Sequence, residues 1–242
     1  MILEVDAGNT RVKWRIVDHS GCIVCRGAGV QFDKDSLQSC AGVRPLRARI
    51  CSVRNSEWNR QIRALMQQEW AIDPEFAAAE AELEGLVNGY HLPERLGTDR
   101  WLAMLAGRKR WPHEALIVVD CGSAATFDFI SREGLHLGGY IVPGVRLQLE
   151  GLSSGTTLSD FGKPDWHDSS PGRDTEGAVR KGVARMLSAW VVEEVRSCFG
   201  GAARVLITGG DGLGLSESLQ RYGLDQEFLD DLVLDGLQIA LP

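Results

Sequence analysis

Three short segments of the chain combine an aspartate with glycine and small polar residues, the residue types from which phosphate sites are built. They are residues 6–10 (Asp-Ala-Gly-Asn-Thr), 120–123 (Asp-Cys-Gly-Ser) and 209–211 (Gly-Gly-Asp). Such loops offer backbone N–H groups to phosphate oxygens, and the carboxylate can hold a neutralising cation. An isolated Asp-Gly turn is usually plain hairpin structure. Three such loops at the ends of apolar strands favour phosphate binding, with the last pressed against a base or ribose.

Lys13 and the segment Gly97–Arg100 supply further side chains that could take part in phosphoryl transfer. Lys13 follows the first loop along a hairpin strand, so it could reach back to a phosphate or be a plain exposed lysine. Asp99 and Arg100 begin a predicted helix, where residue type alone favours a simple interaction with the helix dipole. Alternatively, Asp99 accepts a hydroxyl proton and Arg100 binds a substrate carboxylate. The residues alone leave these alternatives open.

Other catalytic classes lack their motifs in this sequence. It contains no GxSxG, HExxH or GxxxxGK[ST] pattern, and its five histidines show no metal-ligand spacing. Cys22 and Cys25 form a CxxC pair, but no second pair or histidine cluster completes a zinc site. The six cysteines are dispersed through a chain too large to need disulfides, which fits a reducing compartment.

Composition describes a globular protein with an acidic balance. The 242 residues are 44% hydrophobic and 24% charged, close to average values. A net charge of -7 argues against a protein built to bind the nucleic-acid backbone. No stretch approaches the roughly 18 unbroken apolar residues of a membrane span, and the first residues do not resemble a signal peptide. We therefore expect a cytoplasmic protein with neither membrane nor nucleic acid as its partner.

A repeated strand–loop–strand unit predicts the domain organisation. Apolar and polar residues alternate over Val12–Val17, as in a strand with one wet face, after a first strand at Met1–Val5. The same sequence of strand, Asp-x-Gly turn and strand recurs at residue 120, near the chain's midpoint. This repetition predicts two similar domains, residues 1–110 and 111–242.

Helical spacing and turn residues predict the remaining elements. Helices are expected over Ser56–Glu69 with Ser56 as N-cap, from Asp99 onward, after Gly144, and over Thr175–Cys198. Ser153–Arg173, rich in Ser, Gly, Pro and Asp, is predicted to be a long surface loop. The C-terminal stretch Leu229–Leu241 is expected to pack at the periphery.

Taken together, these motifs resemble those of type III pantothenate kinases in order and approximate spacing over nearly the whole chain. The matching segments are Asp6–Thr10 with Lys13, Asn88–Tyr90, Gly97–Arg100, Asp120–Thr126, Gly138–Gly144, and Asp174–Thr175 with Ala178 and Gly182. Ser123 stands where the family more often has Thr, which keeps the hydroxyl group. The last thirty or so residues carry few further family motifs, which leaves base recognition near residues 209–211 the least supported.

The resemblance implies an α/β fold with two RNase H-like domains, as in acetate and sugar kinases, heat-shock chaperone ATPases and actin, with a nucleotide cleft between the domains. It also implies a homodimer that phosphorylates the terminal hydroxyl of pantothenate, the first step of coenzyme A synthesis. The implied cofactors are ATP, Mg²⁺ and a monovalent cation, K⁺ or NH₄⁺.

The resemblance further implies a role for each matching residue. Asp99 would be the general base. ATP phosphates would contact Asp6, Gly8, Asn9, Thr10, Lys13 and Ser123, with Gly209 and Gly210 near the base or ribose, and Asp6 would also hold Mg²⁺. Asp120 would bind the monovalent cation. Pantothenate would contact Tyr90, Gly97, Thr98 and Arg100, and Thr175 would reach in from the neighbouring subunit.

Two alternatives remain from the sequence. One is a non-catalytic accessory or regulatory protein of the same family, which the joint presence of Asp6, Asp99 and Asp120 disfavours. The other is a related phosphotransferase or phosphatase of the same fold that acts on a different small molecule.

Overall fold

The computed structural model describes residues 1–40, 42–155 and 161–242. Its internal contacts divide the chain into two compact units. The first consists of Met1–Glu84, Tyr90–Ala106 and Leu232–Pro242, and the second of Gly85–Gly89 and Gly107–Asp231. The C-terminal segment thus belongs to the first unit, whereas the sequence placed it with the second half. As a statement about independently folding domains, the division at residues 110 and 111 stays a prediction.

Each unit contains a five-stranded sheet. The strands of the first are β1 (Ile2–Ala7), β2 (Val12–Val17), β3 (Ile23–Gly29), β4 (Arg47–Ser52) and β5 (Glu75–Phe76). Two-residue strands follow, β6 (Glu82–Leu83) and β7 (Leu86–Val87). The second sheet is formed by β8 (Ala115–Cys121), β9 (Ala124–Ile130), β10 (His136–Pro143), β11 (Ala203–Thr208) and β12 (Gln226–Phe228).

The two sheets share one topology. Their orders are β3-β2-β1-β4-β5 and β10-β9-β8-β11-β12. In both, the first three strands in sequence form an antiparallel meander, and the last two run parallel to the first. The repetition predicted from the loops at residues 6 and 120 is therefore confirmed as a duplicated five-stranded unit.

Six α-helices accompany these sheets in the described part of the chain. They are α1 (Ser56–Trp70), α2 (Thr98–Arg110), α3 (Val145–Gly155), α4 (Thr175–Phe199), α5 (Gly212–Leu219) and α6 (Leu232–Ala240). The predicted helices are confirmed, with one change at the start of α1. Its N-cap is Asn55 rather than Ser56, because the Asn55 side chain accepts the backbone N–H of Trp58 at 2.9 Å.

The polar face of the first sheet is covered by a helix and is not exposed to solvent. Glu4 of β1 is fully buried and lies between Arg15 of β2 (2.7 Å) and Arg49 of β4 (3.0 Å). Helix α6 packs over β1 and β4, and its Asp235 accepts a second hydrogen bond from Arg15 at 2.8 Å. The prediction of a solvent-facing strand at Val12–Val17 was therefore wrong for Arg15, because α6 returns from the far end of the chain to cover it.

The opposite, apolar face of the first sheet forms one hydrophobic core, and one face of the second sheet forms another. Leu3, Val5 and Ala7 alternate along β1 and pack with α1 through Ile62 and Met66. In the second unit, the buried residues of α4 and α5 pack with β8, β9 and β11. Strand β8 is buried along nearly its whole length, as expected for a central strand.

Two further expectations changed. The C-terminal segment is the buried helix α6, not a peripheral element. Of the loop predicted at Ser153–Arg173, the first three residues belong to α3, residues 161–173 are irregular, and residues 156–160 lie outside the described residues.

The prediction of a chain without disulfides was wrong. Cys25 of β3 is bonded to Cys40, the last residue of the 3₁₀ helix Lys34–Cys40, with their Cα atoms 6.1 Å apart. That helix packs on β3, so it brings together two cysteines that are fifteen residues apart. Cys22, the other member of the CxxC pair, is an exposed free thiol. A reducing, cytoplasmic location stays a prediction.

Within the described ranges, no helix is both long enough and apolar enough to cross a membrane.

Candidate active site

The first glycine loop joins β1 to β2 and sets Asp6 opposite Lys13. The two residues are paired in the antiparallel register, so both side chains project from the same face of the hairpin. Both are partly buried, whereas Asn9 and Thr10 at the loop tip are exposed. The sequence left Lys13 either able to reach the loop or a plain exposed lysine, and the register places it directly across from Asp6.

Arg54 holds this loop from one side, a residue that the sequence analysis did not single out. Its Nε donates to the carbonyl oxygen of Gly8 at 2.8 Å, and its Nη2 donates to that of Val30 at 3.1 Å. With the Gly8 carbonyl engaged by a cation, the backbone of the loop has a fixed orientation. No sequence motif marks Arg54, because it follows β4, far along the chain from the loop.

The second cluster lies at the start of α2. Asp99 and Arg100 occupy its first turn, and Asp99 Oδ1 accepts the backbone N–H of Arg100 at 2.8 Å. Gly97 makes room for that arrangement, since a Cβ on it would lie 2.7 Å from the same Asp99 oxygen. A carboxylate is also electrostatically favoured at this end of a helix.

Tyr90 completes the cluster through Arg100. The Arg100 guanidinium is buried, donates from Nη1 to the Tyr90 hydroxyl at 2.7 Å, and lies 5.6 Å from the centre of the tyrosine ring. The predicted acceptor-binding residues Tyr90, Gly97, Thr98 and Arg100 are thus neighbours of the predicted base, Asp99. A planar guanidinium held in this way is suited to binding a carboxylate.

In the second unit, the loop after β8 is enclosed by two glycines. A Cβ on Gly209 would lie 2.3 Å from Asp120 Oδ1, and one on Gly144 would lie 2.2 Å from the carbonyl oxygen of Gly122. The backbone N–H of Gly144 donates to the Ser123 carbonyl at 3.0 Å. Asp120 and Ser123 are therefore held within a tightly packed set of backbone turns.

These contacts change the reason for one predicted glycine. Gly209, expected to make room for a base or ribose, has φ +89° and packs against Asp120 and Cys121. Gly210 has open space at its Cβ position, so it leaves room for a ligand next to Asp211. The sequence correctly indicated that position 209 has no room for a side chain. It could not show that the crowding comes from Asp120 and Cys121.

A cavity of about 330 Å³ lies beside Asp211 in the second unit. Val145, Leu149 and Pro164 supply apolar lining, and Glu150 and Lys163 supply charge. Burial raises the pKa of the Asp211 carboxyl, and Lys163 acts in the opposite direction. A largely apolar cavity with a few charged groups is the usual form of a small-molecule site.

Thr175, predicted to contact a neighbouring subunit's substrate, is the first residue of α4. Asp174 is the N-cap, and its carboxylate accepts the backbone N–H of Gly177 at 2.7 Å. Thr175 is exposed in the single chain. The cap fixes where the helix begins and therefore the direction in which residue 175 faces solvent.

The residues present suit a cation whose coordination is completed by a bound ligand. They do not form a metal site built entirely from protein side chains. Among the described residues, no three or more His, Cys, Asp or Glu side chains cluster closely enough to hold a metal ion. Asp6 and Asp120 are each the penultimate residue of a strand that leads into a glycine loop. Mg²⁺ is commonly bound by one or two carboxylates together with substrate phosphates, so a single aspartate per loop is a sufficient protein contribution.

A family model for type III pantothenate kinases matches residues 2–197 of the chain. The chain belongs to the type III pantothenate kinase family. A type III pantothenate kinase of Pseudomonas fluorescens strain Pf0-1 is 38% identical over 253 residues, covering 100% of this chain and 99% of that protein. This family membership makes the chain a kinase and associates it with pantothenate kinase activity in coenzyme A synthesis.

Solved structures confirm the fold. A candidate 2-dehydro-3-deoxygalactonokinase of Sinorhizobium meliloti superposes with a TM-score of 0.65 at 10% identity, covering 99% of this chain and 98% of that one. A candidate Baf family transcriptional activator of Campylobacter jejuni gives a TM-score of 0.60 at 20% identity, covering 98% and 95%. At these identities the likeness concerns the fold alone, which is that of actin-like ATPases and sugar kinases, as expected for this family.

Proposed function

We propose that this kinase transfers the γ-phosphoryl group of ATP to the terminal hydroxyl of pantothenate, giving 4'-phosphopantothenate. The observation that carries the proposal is the cluster at the start of α2, where Asp99 lies beside an Arg100 that is fixed by Tyr90. It combines a base with a carboxylate-binding group, and pantothenate has both a hydroxyl to phosphorylate and a carboxylate. Membership of the type III pantothenate kinase family supports pantothenate as the acceptor.

Asp99 acts as the general base in this proposal. The backbone N–H of Arg100 holds Oδ1, which restricts the rotation of the carboxylate. An oriented carboxylate can take the hydroxyl proton as the acceptor oxygen attacks the γ-phosphorus in line with the leaving ADP oxygen. Proton transfer of this kind contributes a factor of about 10² to 10⁴ to a rate.

Arg100, with Gly97, Thr98 and Tyr90 around it, binds the acceptor. Its guanidinium donates from Nη1 to the Tyr90 hydroxyl, and a planar guanidinium has the geometry that suits a carboxylate. Because Arg100 is buried, the ion pair that it forms with a substrate carboxylate is screened less by water than an exposed pair would be.

The two glycine loops bind the phosphates of ATP. Backbone N–H groups of Gly8, Asn9 and Thr10 donate to phosphate oxygens in the first unit, assisted by the Lys13 ammonium opposite Asp6. In the second unit, Ser123 donates its hydroxyl. A Mg²⁺ ion at Asp6 and a K⁺ or NH₄⁺ ion at Asp120, when bound, supply neutralisation of the phosphate charge.

The nucleoside end of ATP occupies the cavity beside Asp211 in this proposal. Gly210 leaves open space next to that residue, and the cavity's apolar lining can pack against a flat base. Residues 209–211 lie next to the loop after β8 that contains Ser123, because the N–H of Asp211 donates to the Cys121 carbonyl at 3.0 Å.

A homodimer completes the proposal. The edge strand β10 exposes Leu137, Tyr140 and Ile141, and Met186 of α4 is exposed in the same unit. Large apolar side chains grouped on an edge strand are costly in water and typical of an interface. Thr175, exposed at the start of α4, would then contact the substrate of the partner subunit.

Release of ADP measured with three acceptor conditions tests the function. The purified chain with ATP, Mg²⁺ and K⁺ should release ADP when pantothenate is added, and far less with no acceptor or with 2-dehydro-3-deoxygalactonate. Omitting K⁺ should lower the rate. Activity with the sugar acid instead of pantothenate would support a related phosphotransferase, and no acceptor-dependent ADP at all would support a non-catalytic role.

A further inference from the structure

Arg108 is a buried arginine whose guanidinium holds backbone carbonyls. It lies in the last turn of α2 and is 8% exposed. Its Nε donates to the carbonyl oxygen of Gly85 at 3.1 Å, and its Nη1 donates to that of Arg132 at 2.9 Å. A buried cation is retained only where its donors are satisfied, so this side chain and the two carbonyls depend on one another.

We call the hydrogen bonds from the Arg108 guanidinium to the carbonyls of Gly85 and Arg132 the Arg108 clamp. Further contacts hold the segment Gly85–Gly89 next to this clamp. The N–H of Val87 donates to the Gly134 carbonyl at 2.9 Å. Gly134 has φ +91°, and a Cβ on it would lie 2.0 Å from the Gly85 carbonyl oxygen and 2.8 Å from Arg108 Nε. The Arg108 guanidinium, the Gly85 carbonyl and Gly134 are therefore closely packed, with no room for a methyl group.

The far end of the segment is seated against His136. A Cβ on Gly89 would lie 1.9 Å from the His136 carbonyl oxygen, so only glycine allows this approach. The His136 side chain is buried and lies 3.0 Å from Asp128, measured from Nε2 to Oδ1. The contact surface for Gly89 is thus itself held by a buried polar pair.

The next residue in the chain, Tyr90, contacts α2 through its side chain. Its hydroxyl bonds Arg100 in the first turn of the same helix that carries Arg108 in its last turn. Arg100 and Arg108 are eight residues apart in the sequence of α2, which corresponds to a helical rise of about 12 Å. The stretch from Gly85 to Tyr90 is therefore tied to one helix near both of its ends.

We propose that Arg108 is a positioning residue for the acceptor site: by holding Gly85, it fixes the course of residues 85–89 and hence the placement of the Tyr90 hydroxyl on Arg100. The proposal rests on the proposed function, in which Tyr90 and Arg100 bind pantothenate. Arg108 itself touches no reactant. Its loss should weaken acceptor binding more than it slows the chemical step.

The kinetic test compares Arg108→Gln with Arg110→Gln. Arg110 lies on the same helix but is exposed and pairs with Glu227 at 2.7 Å, so it is a matched control. Loss of a charged hydrogen-bond donor predicts that Arg108→Gln raises KM for pantothenate about tenfold. KM for ATP should change less than about twofold, and Arg110→Gln should change neither. Arg108→Lys, which keeps the charge, should restore part of the effect.

A merely structural Arg108 would give a different pattern. Its substitution would lower the melting temperature and the active fraction, so kcat would fall while both KM values stayed as in the unmodified chain. That result would overturn the positioning proposal. If Arg108→Gln does not fold, the same comparison with Arg108→Lys, the milder change, decides the question.

Hydrogen exchange separates failure of this proposal from failure of the proposed function. Without any substrate, the amide of Val87 should exchange faster in Arg108→Gln than in Arg110→Gln, because its hydrogen bond to the Gly134 carbonyl weakens. Unchanged exchange there contradicts the clamp whatever the enzyme phosphorylates. If exchange accelerates but the unmodified chain releases no ADP with pantothenate, the clamp stands and the proposed acceptor is what fails.

Discussion

At the scale of single residues, the contact between Tyr90 and Arg100 is central to the proposed acceptor site. Sequence reasoning found both residues through their motifs, but it could not show that one orients the other. The hydroxyl accepts a hydrogen bond from a buried guanidinium at 2.7 Å, so it helps to fix the orientation of the Arg100 side chain. The Tyr90 hydroxyl therefore contributes to the proposed acceptor binding by orienting Arg100, in addition to any direct contact with the acceptor.

Tyr90→Phe should raise KM for pantothenate about tenfold, since it leaves a buried cationic donor without this partner. Turnover at saturating pantothenate should fall much less. Steady-state kinetics with varied pantothenate at fixed ATP measures both quantities. Tyr222→Phe is the matched control, because the Tyr222 hydroxyl also accepts a hydrogen bond from an arginine, Arg185 at 3.1 Å, but that hydrogen bond is exposed. Equal KM values in the two variants would contradict a positioning role for the Tyr90 hydroxyl.

Single residues also show where sequence reasoning stops. The polar N-cap of α1 was assigned to Ser56, one residue from the true cap Asn55, since either side chain can accept the N–H group. Gly209 was identified as a position without room for a side chain, yet its crowding comes from Asp120 and Cys121. Both errors arise because a sequence shows residue types but not the neighbours that act on them.

At the scale of elements, a buried row of charge joins α6 to the first sheet. Glu4 lies between Arg15 and Arg49, and Asp235 and Gln238 of α6 bond Arg15 and Glu4, respectively. The strand that carries Glu4 also carries Asp6, and the strand that carries Arg15 includes Lys13. The row thus fixes the two strands on which the proposed phosphate-binding groups stand.

Glu4→Gln should lower the free energy of unfolding by about 3 kcal/mol or more, because it leaves buried arginines without their shared carboxylate. Denaturant unfolding followed by circular dichroism measures the change. Glu75→Gln provides the comparison, since Glu75 pairs with Arg47 at the surface and such pairs contribute only about 0 to 1 kcal/mol. A loss for Glu4→Gln no larger than that for Glu75→Gln would contradict the importance of the buried row.

The elements themselves were largely predictable because each has a local cause. Alternation predicted β2, helical spacing predicted α4, and Asp-x-Gly turns marked the ends of β1 and β8. The covering of Arg15 by α6 and the bond between Cys25 and Cys40 were missed. Both depend on contacts between segments distant in sequence, which neither periodicity nor propensity encodes.

At the scale of the whole molecule, the duplicated sheet explains why two aspartate loops occur. Each follows the first strand of its sheet, at Asp6 and Asp120, and so recurs at the equivalent place in each unit. The repeat was visible in the sequence because the loop chemistry was retained. Family membership then identifies the chain as a kinase, whereas the roles of the individual loop residues stay predictions.

The exposed apolar strand β10 predicts how the molecule associates. Ile141→Asp should convert a dimer to a monomer, because it places a charge in the centre of the proposed interface. Light scattering coupled to size-exclusion chromatography measures the molar mass. Leu46→Asp, at an even more exposed apolar residue in the first unit, should leave the mass unchanged. A dimer that persists in Ile141→Asp would place the interface elsewhere.

The turnover of Asp99→Asn, measured together with its affinity for pantothenate, tests the central claim most directly. The substitution keeps the shape of the side chain but removes its basicity, and Glu94→Gln, at an exposed residue shortly before α2, controls for a nearby loss of charge. We predict that kcat for pantothenate-dependent ADP release falls about 10²- to 10⁴-fold while calorimetric affinity for pantothenate changes less than about threefold. Turnover near that of the unmodified enzyme would contradict the assignment of Asp99 as the base.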